Sequence, residues 1–255
     1  MSTGTPAPRS LRSSRALGLA AAALAAAAGA VVLAGGTAGR ERDAAVLTAR
    51  AGDFTRAEPG LRAARDRNPA DAEATELLAR GYLAAGRLAD AEAALTDWAA
   101  LRPDDPEPVR LRMGLYRDRR QFDRAYADAL RLLALQPGSA AARWEVTQVA
   151  YSAGEFAKVE ELCRAGLAAG EGRYRVPLAE ALRGRGDAAG AAAVLDKVLR
   201  HDPADVPALL VRAALYDEAG EPAKAAPLLR EVIRLDPGRA YPAGYQLAVV
   251  LERAG

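Results

Sequence analysis

Two residue types that carry most protein chemistry are nearly missing from this chain of 255 residues: it has one cysteine, Cys163, and one histidine, His201. A single cysteine forbids any intramolecular disulfide, whatever the compartment. No second histidine or cysteine exists for a zinc-type ligand set, so no metal site is expected. No glycine-rich loop precedes a phosphate-binding helix, and Ser139 and Ser152 have no base nearby in sequence. The expectation is a protein that is not an enzyme, with no catalytic residues and no cofactor. Aromatics are also scarce, at 5%. Alanine supplies much of the apolar count, which suits closely packed thin helices better than a deep globular core. Net charge is only +2, and Arg9, Arg12 and Arg15 supply the excess, so the remainder is nearly neutral. No clustered basic face is expected, and nucleic acid is disfavoured as a partner.

What is present is a lattice. Gly52, Gly86, Gly154, Gly186 and Gly220 recur at close to 34 residues, with Arg120 where another glycine should stand. Five residues after each comes a small side chain: Ala57, Ala91, Ala125, Val159, Ala191 and Ala225. Seventeen after each comes Pro69, Pro103, Pro137, Pro203 or Pro237, with Glu171 the exception. A fixed period of this length indicates stacked helical hairpins. Apolar residues on both sides of each turn follow helical spacing, as in Leu78/Ala79/Tyr82 before Gly86 and Ala91/Leu95/Trp98 after it. Glycine permits the reversal between the helices, and proline ends the second one. Two residues after the turn, Phe54, Leu88, Phe122 and Phe156 offer an apolar plug. Cys163 falls in the slot filled elsewhere by Leu61, Leu95, Ala129, Leu195 and Leu229, so it reads as a core residue.

On these in-phase positions the segment 38–255 resembles the tetratricopeptide repeat family, most closely in the stretch AEATELLARGYLAAGRLADAEAALTDWAALRPDD. The resemblance implies an all-α fold: a right-handed superhelical solenoid of antiparallel helix pairs, the first helix of each pair lining a concave groove. The repeats run at about 38–71, 72–105, 106–139, 140–171, 172–205 and 206–240, with a terminal helix at 241–255. The fourth is two residues short and lacks its proline, which marks a bend or weak joint. Pro59 and Pro227 should kink the second helices of their repeats or delay their start, and Pro177 should disturb a first helix. The terminal stretch YPAGYQLAVVLERAG is mostly apolar for a cap, suggesting truncation or a docked partner.

Residues 1–15 are basic and rich in Pro and Ser, and read as a disordered tail. Residues 16–36, ALGLAAAALAAAAGAVVLAGG, carry no charge and are long enough for one hydrophobic helix to span a membrane. A basic flank before an apolar run also describes a cleavable signal peptide. Either way the flanking arginines favour the repeats lying on the extracytoplasmic, periplasmic side. The expected state is a single-pass anchor; a periplasmic or secreted soluble form after cleavage, acting as an assembly or chaperone-like factor, is the alternative. The targeting array of a longer enzyme is a third possibility.

Residues ten, six and three before each turn should face the groove. These include Arg110 and Arg117, then Trp144, Gln148 and Tyr151, then Glu180 and Arg183. Aromatic rings and guanidinium groups supply much of the anchor energy in recognition, so Arg110, Arg117, Trp144, Gln148, Tyr151 and Arg183 form the candidate groove for an extended, partly acidic peptide. An ordinary solvated helix face is the plainer reading of the same residues. The lysine and asparagine pattern by which some family members clamp the acidic tail of a chaperone finds no register here, with Val46 and Leu77 at asparagine positions. The partner class is protein or peptide, with the membrane contacted through residues 16–36.

Overall fold

The computed structural model describes residues 36–254, and among them all regular structure is helical. The chain divides between Pro103 and Asp104 into two compact units. The first holds α1 (residues 36–50), α2 (Phe54–Arg67), α3 (Ala72–Ala84) and α4 (Leu88–Leu101). The second begins with α5 (Pro106–Asp118), α6 (Phe122–Leu135), α7 (Ala140–Ser152) and α8 (Phe156–Ala168). It continues through a 3-10 turn (Gly172–Tyr174) into α9 (Arg175–Gly184), α10 (Ala188–His201), α11 (Val206–Glu218), α12 (Pro222–Leu235) and, after a second 3-10 turn, α13 (Ala240–Ala254). Odd-numbered helices are the first of each pair and even-numbered ones the second.

The turns show why the glycines recur. Gly52, Gly86, Gly154, Gly186 and Gly220 all lie in the left-handed region, with φ of 92°, 69°, 76°, 82° and 71°. The bonds around them are those of a Schellman ending. In the second repeat Gly86 N–H donates to the Leu83 carbonyl at 3.1 Å, and Arg87 N–H to that of Tyr82 at 2.9 Å. Arg120 takes the same conformation, φ 57°, with no glycine to ease it. The next helix then begins two residues after the turn, on a plug residue in the first four repeats and on Ala188 or Pro222 in the last two, and Asp53 and Asp187 cap α2 and α10 by accepting from Arg56 and Gly190 N–H. The closing prolines work as expected: α2, α4, α6, α10 and α12 each end two residues before one.

Packing follows the lattice. Ala57, Ala91, Ala125, Val159, Ala191 and Ala225 are all fully buried, as is Cys163 in its leucine slot. Apolar burial at this density is the main stabilising term of such hairpins. Two repeats break the pattern. Where Leu78, Val146 and Leu178 sit in other first helices, the third and sixth repeats have Arg112 and Arg212. The Arg112 guanidinium grips the buried Asp128 carboxylate of α6 at 2.6 and 2.8 Å, and Arg212 meets Asp196 of α10 at 3.2 Å. A charge there is tolerable only because it is paired.

Three expectations change once the structure is in view. Pro59 and Pro227 lie inside α2 and α12, yet both helices start on schedule at Phe54 and Pro222 and run through to their ends. Pro177 is the third residue of α9, where no intrahelical N–H bond is required; the helix is short, at 10 residues, because a 3-10 turn precedes it. The fourth repeat is not loose. Its α8 ends at Ala168 and is closed by Gly170, φ 83°, with Glu171 N–H donating to the Gly166 carbonyl at 2.9 Å, so a Schellman ending replaces the proline. Tyr174 then plugs the joint, fully buried in a core that runs from Ala150 to Leu215.

Among the described residues no helix is long and apolar enough to cross a membrane. The tail and all but the last residue of the 16–36 run lie outside the described residues.

Candidate functional site

The six candidate groove residues all belong to the second unit, but they do not form one patch. Trp144 and Gln148 on α7 line a pocket of about 990 Å³ whose other walls come from the 172–180 segment, the C-terminal end of α10 and the start of α11. Trp144 is half-buried, edge-on to Tyr174 with ring centroids 5.3 Å apart, and Arg173 lies over its ring at 4.9 Å. Both contacts are worth about 1 kcal/mol each and fix the indole in the wall. Gln148 is exposed one turn further on.

Tyr151 stands outside that pocket, packed edge-on against Phe156 at 5.8 Å. Burial, helped by the nearby Glu180 carboxylate, pushes its phenol up, and Arg183 works against both. The arginines are engaged within the chain. Arg110 donates to Glu145 at 3.0 Å, Gln136 at 2.8 Å and Glu107 at 3.3 Å. Arg183 donates through Nη1 to Glu218, while its Nε is buried without a partner among the described residues. Arg117 is exposed beside Asp118. Arg110–Glu145, Arg183–Glu218 and Arg253–Asp217 tie α5 to α7, α9 to α11 and α13 to α11. At the place between α7 and α9 where such a tie would fall stand Trp144 and Pro177, and there the pocket opens.

Glu171, the residue that replaces the proline, holds this region together. Its carboxylate takes Arg143 of α7 at 2.5 Å and Arg173 at 2.6 Å. The walls of the pocket have a definite charge pattern. Its half-buried interior is formed by Trp144, Val176, Pro177, Glu180 and Asp205, above the buried Val198. Burial pushes the Glu180 carboxyl up, with Arg183 opposing. Asp205 spends one oxygen capping α11, accepting from Ala208 N–H at 2.9 Å. The exposed rim carries Arg173, Arg175, Lys197 and Arg239, with His201 and one acid, Asp202. Sequence reasoning missed the rim because it belongs to helix ends, not to the first-helix midline. The available signal was the short fourth repeat. Among the described residues no three His, Cys, Asp or Glu side chains converge to hold a metal ion.

The tetratricopeptide repeat profile matches residues 49–112 and 182–247, together just over half of the chain. The chain belongs to the tetratricopeptide repeat family. No curated protein matches it. Solved structures share the fold at low identity. MamA (residues 41 to the end) from Desulfovibrio magneticus RS-1 is 19% identical, with a TM-score of 0.54 over 66% of this chain and 96% of that one. YrrB, described as a tetratricopeptide repeat protein with an unusual peptide-binding site, is 15% identical, with a TM-score of 0.52 over 69% and 92%. A chain of the Naa15/Naa10 complex bound to HypK-THB is 16% identical, with a TM-score of 0.51 over 84% of this chain and 36% of that one.

Proposed function

We propose that this tetratricopeptide repeat chain is a scaffold that works by binding, not by chemistry, and that it holds an extended segment of a partner protein across the first helices of its second unit. The observation that carries this reading is the pocket between α7, α9, α10 and α11, with a fixed aromatic wall and polar groups around it. Concave sites of this size with a few placed polar groups are the usual form of a recognition site. Because Arg110 and Arg183 are tied to acids of the chain itself, Trp144 and Gln148 are expected to matter more for binding than those two. A photo-crosslinking residue placed at Gln148 in the full chain should capture a discrete adduct from extracts, and the same residue at the exposed Glu161 of α8 should not. Identical adducts from both positions would remove the pocket from consideration.

In the same reading residues 16–36 tether the repeats on the extracytoplasmic side of a membrane. Support comes from the sequence: an uncharged run of membrane-spanning length behind Arg9, Arg12 and Arg15. The full chain should stay in a carbonate-washed membrane pellet. Recovery of a shorter soluble form beginning near Gly39 would replace the anchor with a cleaved signal.

A further inference from the structure

The pocket's charges are sorted by depth, and depth decides which of them a ligand feels. Arg175 and Lys197 at the exposed rim have no acid within ion-pair distance among the described residues, but they stand in water and salt, where their field is short-ranged. Glu180 sits further in, half-buried beside Trp144, Val176 and Pro177, and no donor among the described residues bonds its carboxylate. A carboxylate withdrawn from water without a donor is costly, and a cation brought by a ligand would remove that cost. Asp205 places a second carboxylate in the same interior. The apolar wall of Trp144, Val176 and Pro177 suits the methylene stem of a long basic side chain, which packs along apolar surface while its head reaches a polar group.

We propose that this pocket takes a lysine or arginine side chain of an otherwise acidic partner segment, its head group on Glu180, its stem against Trp144 and Pro177, and its acidic neighbours on Arg175 and Lys197. The inference rests on the scaffold reading above and adds the partner's chemistry: a basic residue framed by acids. A purely acidic segment would meet Glu180 with a like charge or leave it bare. A purely basic one would be turned away at the rim.

The chain reports on this itself. It has two tryptophans, of which Trp98 is buried in the first unit and Trp144 lines the pocket. The full chain is titrated with capped nine-residue peptides of Asp and Glu carrying lysine, arginine or norleucine at the centre, and with an all-lysine peptide. Indole emission and calorimetry are both followed, with Trp144→Phe as the emission control. The lysine- and arginine-centred peptides should bind about tenfold tighter than the norleucine one. Glu180→Gln, nearly isosteric and checked by its melting curve, should erase that difference. Lys197→Glu with Arg175→Glu should weaken all the acidic peptides alike and leave the preference for a basic centre intact. Equal binding of the lysine and norleucine peptides overturns the inference while leaving the scaffold reading in place. So does a preference that survives Glu180→Gln. If no peptide changes the Trp144 signal or releases heat, the inference fails, and the pocket as the scaffold's binding site fails with it. Because the lysine-to-norleucine comparison alters only the ligand, the claim stays testable even if a variant melts early.

Discussion

Arg120 is held at φ 57° in a turn whose equivalents are all glycine. Left-handed backbone costs a residue with a Cβ about 1–2 kcal/mol, and no ion pair of the exposed side chain with the described residues offsets it. Part of that gain returns as the unfolded-state entropy of glycine. Arg120→Gly is therefore expected to stabilise the protein by about 1 kcal/mol, seen as a melting temperature raised by about 2–4 °C. Glu180 is the second residue at odds with its surroundings. Burial raises its folded carboxyl above the unfolded value of about 4.3. A raised carboxyl means that stability is highest where the group is protonated in both states and falls as pH rises through the folded value. Glu180→Gln should then melt higher than wild type at pH 7 and level with it near pH 4. Coincident curves at every pH would mean that the carboxylate is solvated where it stands. On the proposed reading, a ligand cation that reaches this carboxylate offsets the cost of burying it.

Among the elements, the 3-10 turn after α8 shows how a departure from the repeat is accommodated. Restoring the expected residue with Glu171→Pro would look like a repair. It would remove the N–H that closes the Schellman ending on Gly166 and the carboxylate shared by Arg143 and Arg173. Loss of two such partly buried interactions should cost about 2–4 kcal/mol, read by denaturant titration; a gain in stability would mean that proline is the better stop there too. Gly166 is bound to the same joint. A Cβ at that position would run into the Tyr174 ring, so Gly166→Ala should displace the ring, lower the melting temperature and disturb Trp144, whose emission reports the change. Much of this architecture was legible in the sequence because turns and stops are local requirements: a left-handed residue, a small side chain, a missing N–H. The pocket was legible only in part. Trp144, Gln148 and Glu180 fall on the first-helix positions expected to face the groove, whereas Lys197, His201 and Asp205 come from the end of α10 and the cap of α11, which no first-helix spacing picks out. The partners of Arg110 and Arg183 lie one repeat plus one residue away, at Glu145 and Glu218, a spacing the lattice already contained.

At the scale of the whole molecule, net charge is only +2 and aromatics are scarce, so on the proposed reading recognition rests on a few uncommon features set among alanine-rich helix pairs. The family assignment and helix pairs follow from repetition; any individuality follows from where repetition fails, as at Arg112, Arg212, Arg120 and Glu171. The regular part also has a kinetic use. Cys163 is the lone thiol, fully buried in the core of the second unit, where desolvation chiefly pushes it up to about 12. A thiol reagent can meet a reactive thiolate only when that core opens. Alkylation of Cys163 should proceed at a rate far below that of a free thiol, accelerate with denaturant in proportion to the opening of the unit, and slow when a pocket ligand is bound. Rapid modification of the intact protein would mean that the core around α8 opens far more often than its packing implies. The chain thus carries an internal clock for the breathing of the very unit that holds the pocket, and it keeps time without any added label.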